Sequence, residues 1–512
     1  MSRRGHRKKR SAGDIHQLAW QRIRNPMAPV AILSDDDVQR IIDAALTILE
    51  TKGFRFLEET SRALLSKAGA DTDGDDRMVR FDRNLVKEKM ATAPAEFSLR
   101  ARNPARNLAF GGNNINFSSV GGPAFVSDLD QGRRPGNHAE MCDYLRVVQS
   151  LNIIHQEGGG CFEPMDLPPE SRHLDLYLAQ LTLLDKNVQA YALGRYRTVD
   201  CLEMTSIALG VSREELADEP AILAIINTNS PMQLDIPMTE AVLELAAAGQ
   251  VCCITPFTLA GSMSPATLAG TLAQQTAEIL AVATLTQIVR PGAPIMYGAF
   301  ASNVDMQSGA PALGTPEYTK MAFASAQIAR QLGIPFRSSN TTTSNCVDAQ
   351  SAYESEMSLW GAVMGHAHLV NHAGGWLEGG LTASFEKLII DAEMLQMISE
   401  TLKPIIVNDE ELALDTIAEV PPGGHHFGTA HTLERYETAF YAPIVSDRQN
   451  FEAWQEAGSN DAAQRANTIW KKLLAEYEQP QIDPAIEEAL TSYAERRKEE
   501  IAKNNTEKAN AT

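Results

Sequence analysis

The six cysteines, at 142, 161, 201, 252, 253 and 346, form no C-x-x-C pair and no regular framework. That excludes a disulfide-stapled module and points to free thiols in a reducing compartment, the cytoplasm. An excess of basic charge is missing too: 45 Lys and Arg stand against 65 Asp and Glu, a net charge of -20, which disfavours nucleic acid and anionic membranes as partners of the main body. There is no long apolar run. The most apolar stretch, Ala277–Val289, is too short to span a bilayer and is interrupted by Thr and Gln. Neither G-x-G-x-x-G nor G-x-x-x-x-G-K-[ST] follows an apolar stretch, so the nucleotide-binding signatures of open α/β sheets are absent. What remains, with 44% hydrophobic and 21% charged residues in 512, is a globular chain able to bury a large core.

Residues 1–33 open with a basic run, Arg3 to Arg10, that lacks the apolar core of a secretion signal, and the segment reads as a disordered basic tail. Ser34 before Asp35, Asp36 and Asp37, with Val38, Ile41, Ile42, Leu46 and Leu49 at helical spacing, predicts a capped amphipathic helix. A second helix, Glu59 to Ala68, stops at Gly69. Short apolar stretches between Leu108 and Val126, broken by Gly-Gly and Asn-Asn, read as β-hairpins, so residues 34–135 form an N-terminal α+β segment.

In residues 136–422, short apolar runs alternate with amphipathic helices. The runs are Asn152–Gln156, Val188–Leu193, Ala221–Asn227, Val251–Pro256, Pro294–Phe300, Pro335–Asn340 and His368–Gly374, with a weaker eighth candidate at Pro404–Val407. Repeated strand–helix units of this kind predict an α/β fold, a (β/α)8 TIM barrel. Residues 423–512 follow as a C-terminal helical extension.

Barrel sites form at the C-terminal ends of the strands, so the residues just after each run carry the chemistry. Those endings are rich in glycine, amides, hydroxyls and aromatic rings, as in Gln156–Gly160, Asn227–Pro231 and His372–Gly380. Phe257, Tyr297, Phe300 and Trp376 can wall a pocket for an organic cation, with Glu157 or Glu378 as the balancing charge. Each of these aromatics also fits plain barrel packing. Glu378, between two glycine pairs, is harder to explain that way. His366, His368 and His372 fit three roles: metal ligands along a strand, satisfied structural histidines, or, for His372, a group that handles substrate or a proton. The preceding Met364-Gly365 reads as a helix end, which spoils the strand geometry at His366. No G-x-S-x-G elbow is present, and Cys346 has no His beside it in sequence.

Longer motifs run through the chain: Gly122-Pro123-Ala124-Phe125-Val126-Ser127-Asp128, Asn229-Ser230-Pro231, Thr267-Leu268-Ala269-Gly270 with Gln274, Arg290 to Gly298, Val347-Asp348-Ala349-Gln350 with Tyr353-Glu354, and His431-Thr432 with Ser446-Asp447-Arg448 and Trp454. In these the chain resembles the trimethylamine methyltransferase family from about residue 34 to residue 475. The resemblance implies a (β/α)8 barrel that moves a methyl group from a methylated amine to the Co(I) of a separate corrinoid protein, with no tightly bound cofactor or metal of its own. Founding archaeal members carry pyrrolysine near the stretch matching Asn340 to Gln350, where this chain has Thr341-Thr342-Thr343-Ser344-Asn345-Cys346. Relatives without it resemble enzymes that demethylate glycine betaine and other quaternary amines. On that resemblance the expected site is Phe257, Tyr297, Phe300 and Trp376 round a trimethylammonium head, Glu378 or Glu157 as counter-charge, and Asn227 or His372 on the rest of the substrate. Association into a homo-oligomer is also expected. The competing classes are a metal-dependent barrel hydrolase using His368, His372 and a carboxylate, and a non-catalytic betaine binder.

Overall fold

The computed structural model of the chain describes residues 15–72 and 77–510. Eight parallel strands form its centre: β1 Asn114–Ser119, β2 Gln156–Glu157, β3 Asn187–Val188, β4 Leu223–Ile226, β5 Val251–Ile254, β6 Ile295–Gly298, β7 Phe336–Ser339 and β8 Leu369–Gly374. They pair in the order β3-β2-β1-β8-β7-β6-β5-β4. A parallel bridge between Gln189 and Leu223, with the Ala190 amide donating to the Leu223 carbonyl at 2.9 Å, closes the cylinder between β3 and β4. Each strand is followed by a helix packed outside: α1 His138–Ser150, α2 Arg172–Leu183, α3 Arg195–Leu209, α4 Ile236–Ala247, α5 Leu268–Val289, α6 Pro316–Leu332, α7 Ala349–Met364 and α8 Phe385–Thr401. The chain is a (β/α)8 barrel.

Strands such as Leu-Ala-Ile-Ile and Val-Cys-Cys-Ile are apolar on both faces because one face fills the barrel and the other lies under the helices. Side-chain caps start the helices where the sequence offers them: Asp235 accepts from the Met238 amide and Thr315 from the Tyr318 amide. The long helix α5 is buried on every side, its polar Thr, Gln and Glu residues included, held between the barrel and the N-terminal helices Asp35–Thr51, Glu59–Lys67 and Arg83–Met90.

Three expectations are corrected. The first barrel strand, β1, lies inside the 34–135 segment. Its sequence Asn-Ile-Asn-Phe-Ser-Ser mixes polar and apolar residues like a hairpin strand, yet it pairs in parallel with β2 and β8. The barrel therefore begins at Asn114 and not near 136. Residues 15–33 are not a loose tail: Ile23–Arg24 pairs antiparallel with Ile115 and Asn114, and Asn25 is buried with its side-chain amide donating to the Val363 carbonyl at 2.8 Å. The basic run Arg3 to Arg10 lies outside the described residues. Pro404–Val407 forms no strand, and Ile405, Ile406 and Val407 are exposed.

Hairpins do flank β1, one at each end of the barrel. Phe97–Leu99 pairs with Leu108–Phe110, and this hairpin closes the N-terminal end by packing Leu99, Leu108 and Phe110 on Leu223, Cys253, Met296 and Leu369. At the other end, Phe125–Asp128 pairs with Gly132–Pro135 and with Thr382–Ser384, making a collar beside the strand C-termini. The C-terminal extension is helical, as expected. Its helix Pro484–Asn510 is clasped to the barrel through Asp200, which accepts from Arg497 Nε at 2.7 Å, Tyr493 Oη at 2.8 Å and His173 Nε2 at 2.9 Å. Among the described residues no helix is long and apolar enough to cross a membrane.

Candidate active site

A cavity of about 500 Å³ opens at the C-terminal ends of the strands. Five of the residues expected from sequence line it: Asn227 after β4, Phe257 after β5, Phe300 after β6, His372 in β8 and Trp376 just beyond. Their rings form a connected box. Phe257 and Phe300 have centroids 5.1 Å apart, Phe300 stands edge-on to Trp376 at 6.0 Å, and His372 lies 4.3 Å from Trp376. Trp376 is held by its indole N–H, which donates to the Thr342 carbonyl at 3.1 Å. Gly380, at φ +97°, leaves room for that ring: a Cβ there would sit 2.5 Å from it.

The β8 backbone explains how His372 enters the cavity. The register with β1 shifts between Val370 and Gly374, and His372 has φ +53°, so the bulge turns both Asn371 and His372 inward where a regular strand would alternate them. Gln189 Nε2 donates to Asn371 Oδ1 at 2.9 Å, which turns the Asn371 amide toward His372 Nε2 at 3.2 Å. His372 therefore accepts at Nε2 and carries its proton on Nδ1, a buried atom with no hydrogen-bond partner among the described residues. Burial, and then the Arg337 charge, hold its pKa well below the ordinary histidine range, so the ring is neutral at pH 7.

Arg337, from the middle of β7, was not among the expected site residues and is the main addition. It is 1% exposed and lines the cavity, with its guanidinium carbon 5.2 Å from the Phe300 centroid. Nη1 donates to the Ala299 carbonyl at 3.1 Å, while the buried Nε has no hydrogen-bond partner among the described residues. No Asp or Glu lines the cavity, and no carboxylate among the described residues acts on the Arg337 charge. A buried cation in this state is costly unless an anion completes it.

Three expected site residues lie elsewhere. Tyr297 is fully buried outside the barrel, its hydroxyl 2.8 Å from Thr276 Oγ1 and 3.2 Å from Gln275 Nε2 of α5. Strand alternation sends Met296 inward and so Tyr297 outward. Glu157 is a strut under the rim. Its carboxylate accepts from the Gly159 and Gly160 amides at 2.8 and 2.9 Å and from Gln180 Nε2, and burial pushes its pKa up to about 7 against those donors. Glu378 is clamped on the collar by Arg133, with Nε to Oε2 at 2.6 Å and Nη2 to Oε1 at 3.0 Å, and by Thr382 Oγ1 at 2.5 Å. Partial burial raises its pKa, but the hydrogen bonds from Arg133 and Thr382 outweigh that and leave it below the usual carboxylate range. Neither acid faces the cavity as a counter-charge.

The histidines do not assemble a metal site. His368 sits at the opposite end of β8, its Nδ1 accepting from the Phe336 amide at 2.9 Å and its Nε2 3.1 Å from the Gly112 carbonyl. His366 lines a separate cavity at that same end. Among the described residues no three His, Cys, Asp or Glu side chains converge as metal donors.

The loops round the cavity rest on buried acids. Glu278 of α5 accepts from Thr228 Oγ1 at 2.5 Å, Ser230 Oγ at 2.7 Å and the Met232 amide at 3.0 Å, fixing the loop that carries Asn227. Glu354 holds Thr342 Oγ1 at 2.5 Å and the Thr343 amide at 2.8 Å. Asp391 accepts from the Gly375 amide at 2.8 Å and Asn340 Nδ2 at 3.2 Å, and pairs with the fully buried Lys387.

Fold and cavity together define a (β/α)8 protein with an aromatic-walled cavity at the C-terminal mouth of its barrel. The chain belongs to the family described as trimethylamine methyltransferase (MTTB), whose profile it matches over residues 1–502. It is 35% identical over 471 residues to the glycine betaine methyltransferase of Desulfitobacterium hafniense strain Y51, covering 92% of this chain and 98% of that one. It is 26% identical over 473 residues to the trimethylamine methyltransferase MttB of Desulfitobacterium hafniense strain DSM 10664 / DCB-2, covering 92% and 95%. The solved monomethylamine methyltransferase of Methanosarcina barkeri is a looser likeness, 10% identical with a TM-score of 0.47 over 87% of this chain and 95% of that one.

Proposed function

We propose that this chain takes a methyl group from a betaine, a quaternary ammonium joined to a carboxylate, and passes it to the reduced cobalt of a corrinoid carried by a separate protein. The observation that carries the substrate is Arg337, a buried cation with no acidic partner, set against Phe300 in the aromatic box. A betaine answers both features at once. Its trimethylammonium fits among Phe257, Phe300 and Trp376, at roughly 0.5 to 2 kcal/mol per good cation–π contact, and its carboxylate completes Arg337. The neutral His372, with Nδ1–H free, and Asn227 supply further polar contacts to the rest of the substrate. Trimethylamine brings no anion and leaves Arg337 bare.

A quaternary ammonium needs no acid to leave, because breaking its C–N bond releases a neutral tertiary amine that keeps the electron pair. Reduced cobalt supplies the pair for the new bond to carbon. The protein's task is then to hold the cation in line and to keep water out. The rim suits a broad, flat acceptor: Gly121, Gly122, Gly158, Gly159, Gly379 and Gly380 border the cavity and present backbone only. The relatives named as methyltransferases for glycine betaine and trimethylamine support this reaction class. The compartment that fits a chain with six free cysteines is the cytoplasm, and a homo-oligomer remains the expected assembly.

The test is a methyl-transfer screen with Co(I) acceptor, free and protein-bound, over glycine betaine, proline betaine, carnitine, choline, tetramethylammonium and trimethylamine. Betaines should react at least about 100-fold faster than choline or tetramethylammonium. Equal rates, or a preference for trimethylamine, would overturn the reading. Thermal stabilisation by betaine without any transfer would make the protein a binder instead.

A further inference from the structure

The cavity lined by His366 and His368 lies at the N-terminal ends of β7 and β8, the opposite end of the barrel from the aromatic box, and has a volume of about 420 Å³. That is enough for a small ligand. Its two histidines differ. His368 has both ring nitrogens on backbone groups, whereas His366 is 8% exposed and its Nε2 has no hydrogen-bond partner among the described residues. The other nitrogen of His366 donates to the Met27 carbonyl. Burial keeps its pKa below the ordinary histidine range against that bond, so the ring is neutral at pH 7 with an unused lone pair at Nε2. The backbone adds to this. Gly365, which caps α7, has φ -75°, and it is His366 that takes the left-handed conformation, at φ +63°. A glycine would adopt it at no steric cost, while an imidazole held there is strained, as residues at ligand sites often are.

Arg330 of α6 supplies a charge to the same cavity. Its Nη1 donates to the Gly365 carbonyl at 2.8 Å, partial burial lowers its pKa, and no carboxylate among the described residues acts on it. Asp35, which shares a neighbouring cavity with Arg330, is no exception. No Asp or Glu lines the cavity itself, so nothing there meets a ligand's ammonium, and Pro26, Met27, Ile334 and Phe336 give it apolar walls. Two things are missing from this arrangement: an anion beside Arg330 and a hydrogen-bond donor for His366 Nε2.

We infer that this cavity is a second ligand site, for a small oxyanion that carries a hydroxyl beside its charge: the anion sits on Arg330 and the O–H donates to His366 Nε2. Phosphate and hydroxycarboxylates share that chemistry. A plain carboxylate or sulfate answers Arg330 alone, and an amino acid brings an ammonium that finds no acid. The site is independent of the betaine reading. The test is isothermal titration calorimetry of the full chain at neutral pH and fixed ionic strength with inorganic phosphate, sulfate, glycolate and acetate. Phosphate should bind at least about 10-fold tighter than sulfate, or glycolate than acetate, because one hydrogen bond to a buried acceptor separates the members of each pair. Preference in the first pair alone makes the ligand a phosphate, and in the second alone a hydroxy acid. Arg330→Met should abolish binding. His366→Gly, which relieves the left-handed backbone and so keeps the fold, should erase the preference and leave weak anion binding. Arg337→Met, at the other end of the barrel, should change neither. Absent binding or equal affinities within both pairs would overturn the inference, as would a preference that survives His366→Gly or binding that disappears in Arg337→Met, which would place the anion at the barrel mouth.

Discussion

Strand β8 carries one histidine near each end, and the two ends differ in kind. At the N-terminal end both nitrogens of His368 are engaged by backbone. At the C-terminal end the His372 ring lies tilted against Trp376 in the cavity, and its Nδ1 has no hydrogen-bond partner among the described residues. Two buried cations repeat the contrast. Lys387, between α8 and the barrel, has Asp391 and Ser355 Oγ at 2.8 Å as partners, whereas Arg337 has a carbonyl and no acid. Buried polar groups in native proteins are normally satisfied. Where the chain supplies every partner the group builds the fold, and where it leaves one out at an open cavity the proposed function assigns the missing partner to the substrate.

Removing the acid on the satisfied side should do the most damage. Asp391→Ala leaves Lys387 buried and uncompensated and frees Gly375, so denaturant titration should show a loss of about 3 to 5 kcal/mol; Lys387→Met combined with Asp391→Leu should restore most of it. A loss under about 1 kcal/mol from the single change would break the contrast. Glu157 comes next. Its folded pKa of about 7 lies above the ordinary 4.5, so the folded protein keeps a proton that the unfolded chain releases. Its contribution is complete below pH 4.5 and is lost as pH rises toward 7, about 3 kcal/mol in all. Relative to Glu157→Gln, wild-type stability should therefore fall across that window while betaine affinity does not follow it. On the unsatisfied side, Arg337→Met should leave stability unchanged or raise it while lowering kcat/KM for a betaine about 100-fold, about 2.7 kcal/mol. Unchanged betaine kinetics would remove Arg337 from the site.

Much of the fold is legible in the sequence because periodicity reports burial directly. Strands β2 to β8 all overlap apolar runs, and the helix predicted behind Ser34 is found at Asp35–Thr51 with the Ser34 side chain accepting from the Asp37 amide. β1 escapes because Asn and Ser alternate with Ile and Phe as in a hairpin; only closure of the barrel gives it two parallel neighbours. In the site, aromatics after a strand are legible from the rule that barrels work at strand C-termini. Parity decided the misses. Tyr297 lies within a strand and faces out, Arg337 lies within a strand and faces in, and the β8 bulge brings in two neighbours together, a shift that no local pattern shows. Several motifs behind the family resemblance prove to be struts: Ser230 and Gln274 meet at Glu278, Glu354 holds the Thr341–Ser344 loop, and Ser446 is tied to Glu393.

The rim has a consequence for how such a protein can change. Gly121 and Gly158 touch so closely that a Cβ on Gly121 would fall 1.9 Å from the Gly158 carbonyl oxygen, and one on Gly158 would fall 2.4 Å from that of Ser119. Substitution at either position must pry two barrel strands apart before it can alter anything else. Divergence toward new donors is thereby channelled into the floor and inner wall, where Asn227, Arg337 and Asn371 can be exchanged one at a time, while the doorway through which an acceptor reaches the methyl group stays the same shape.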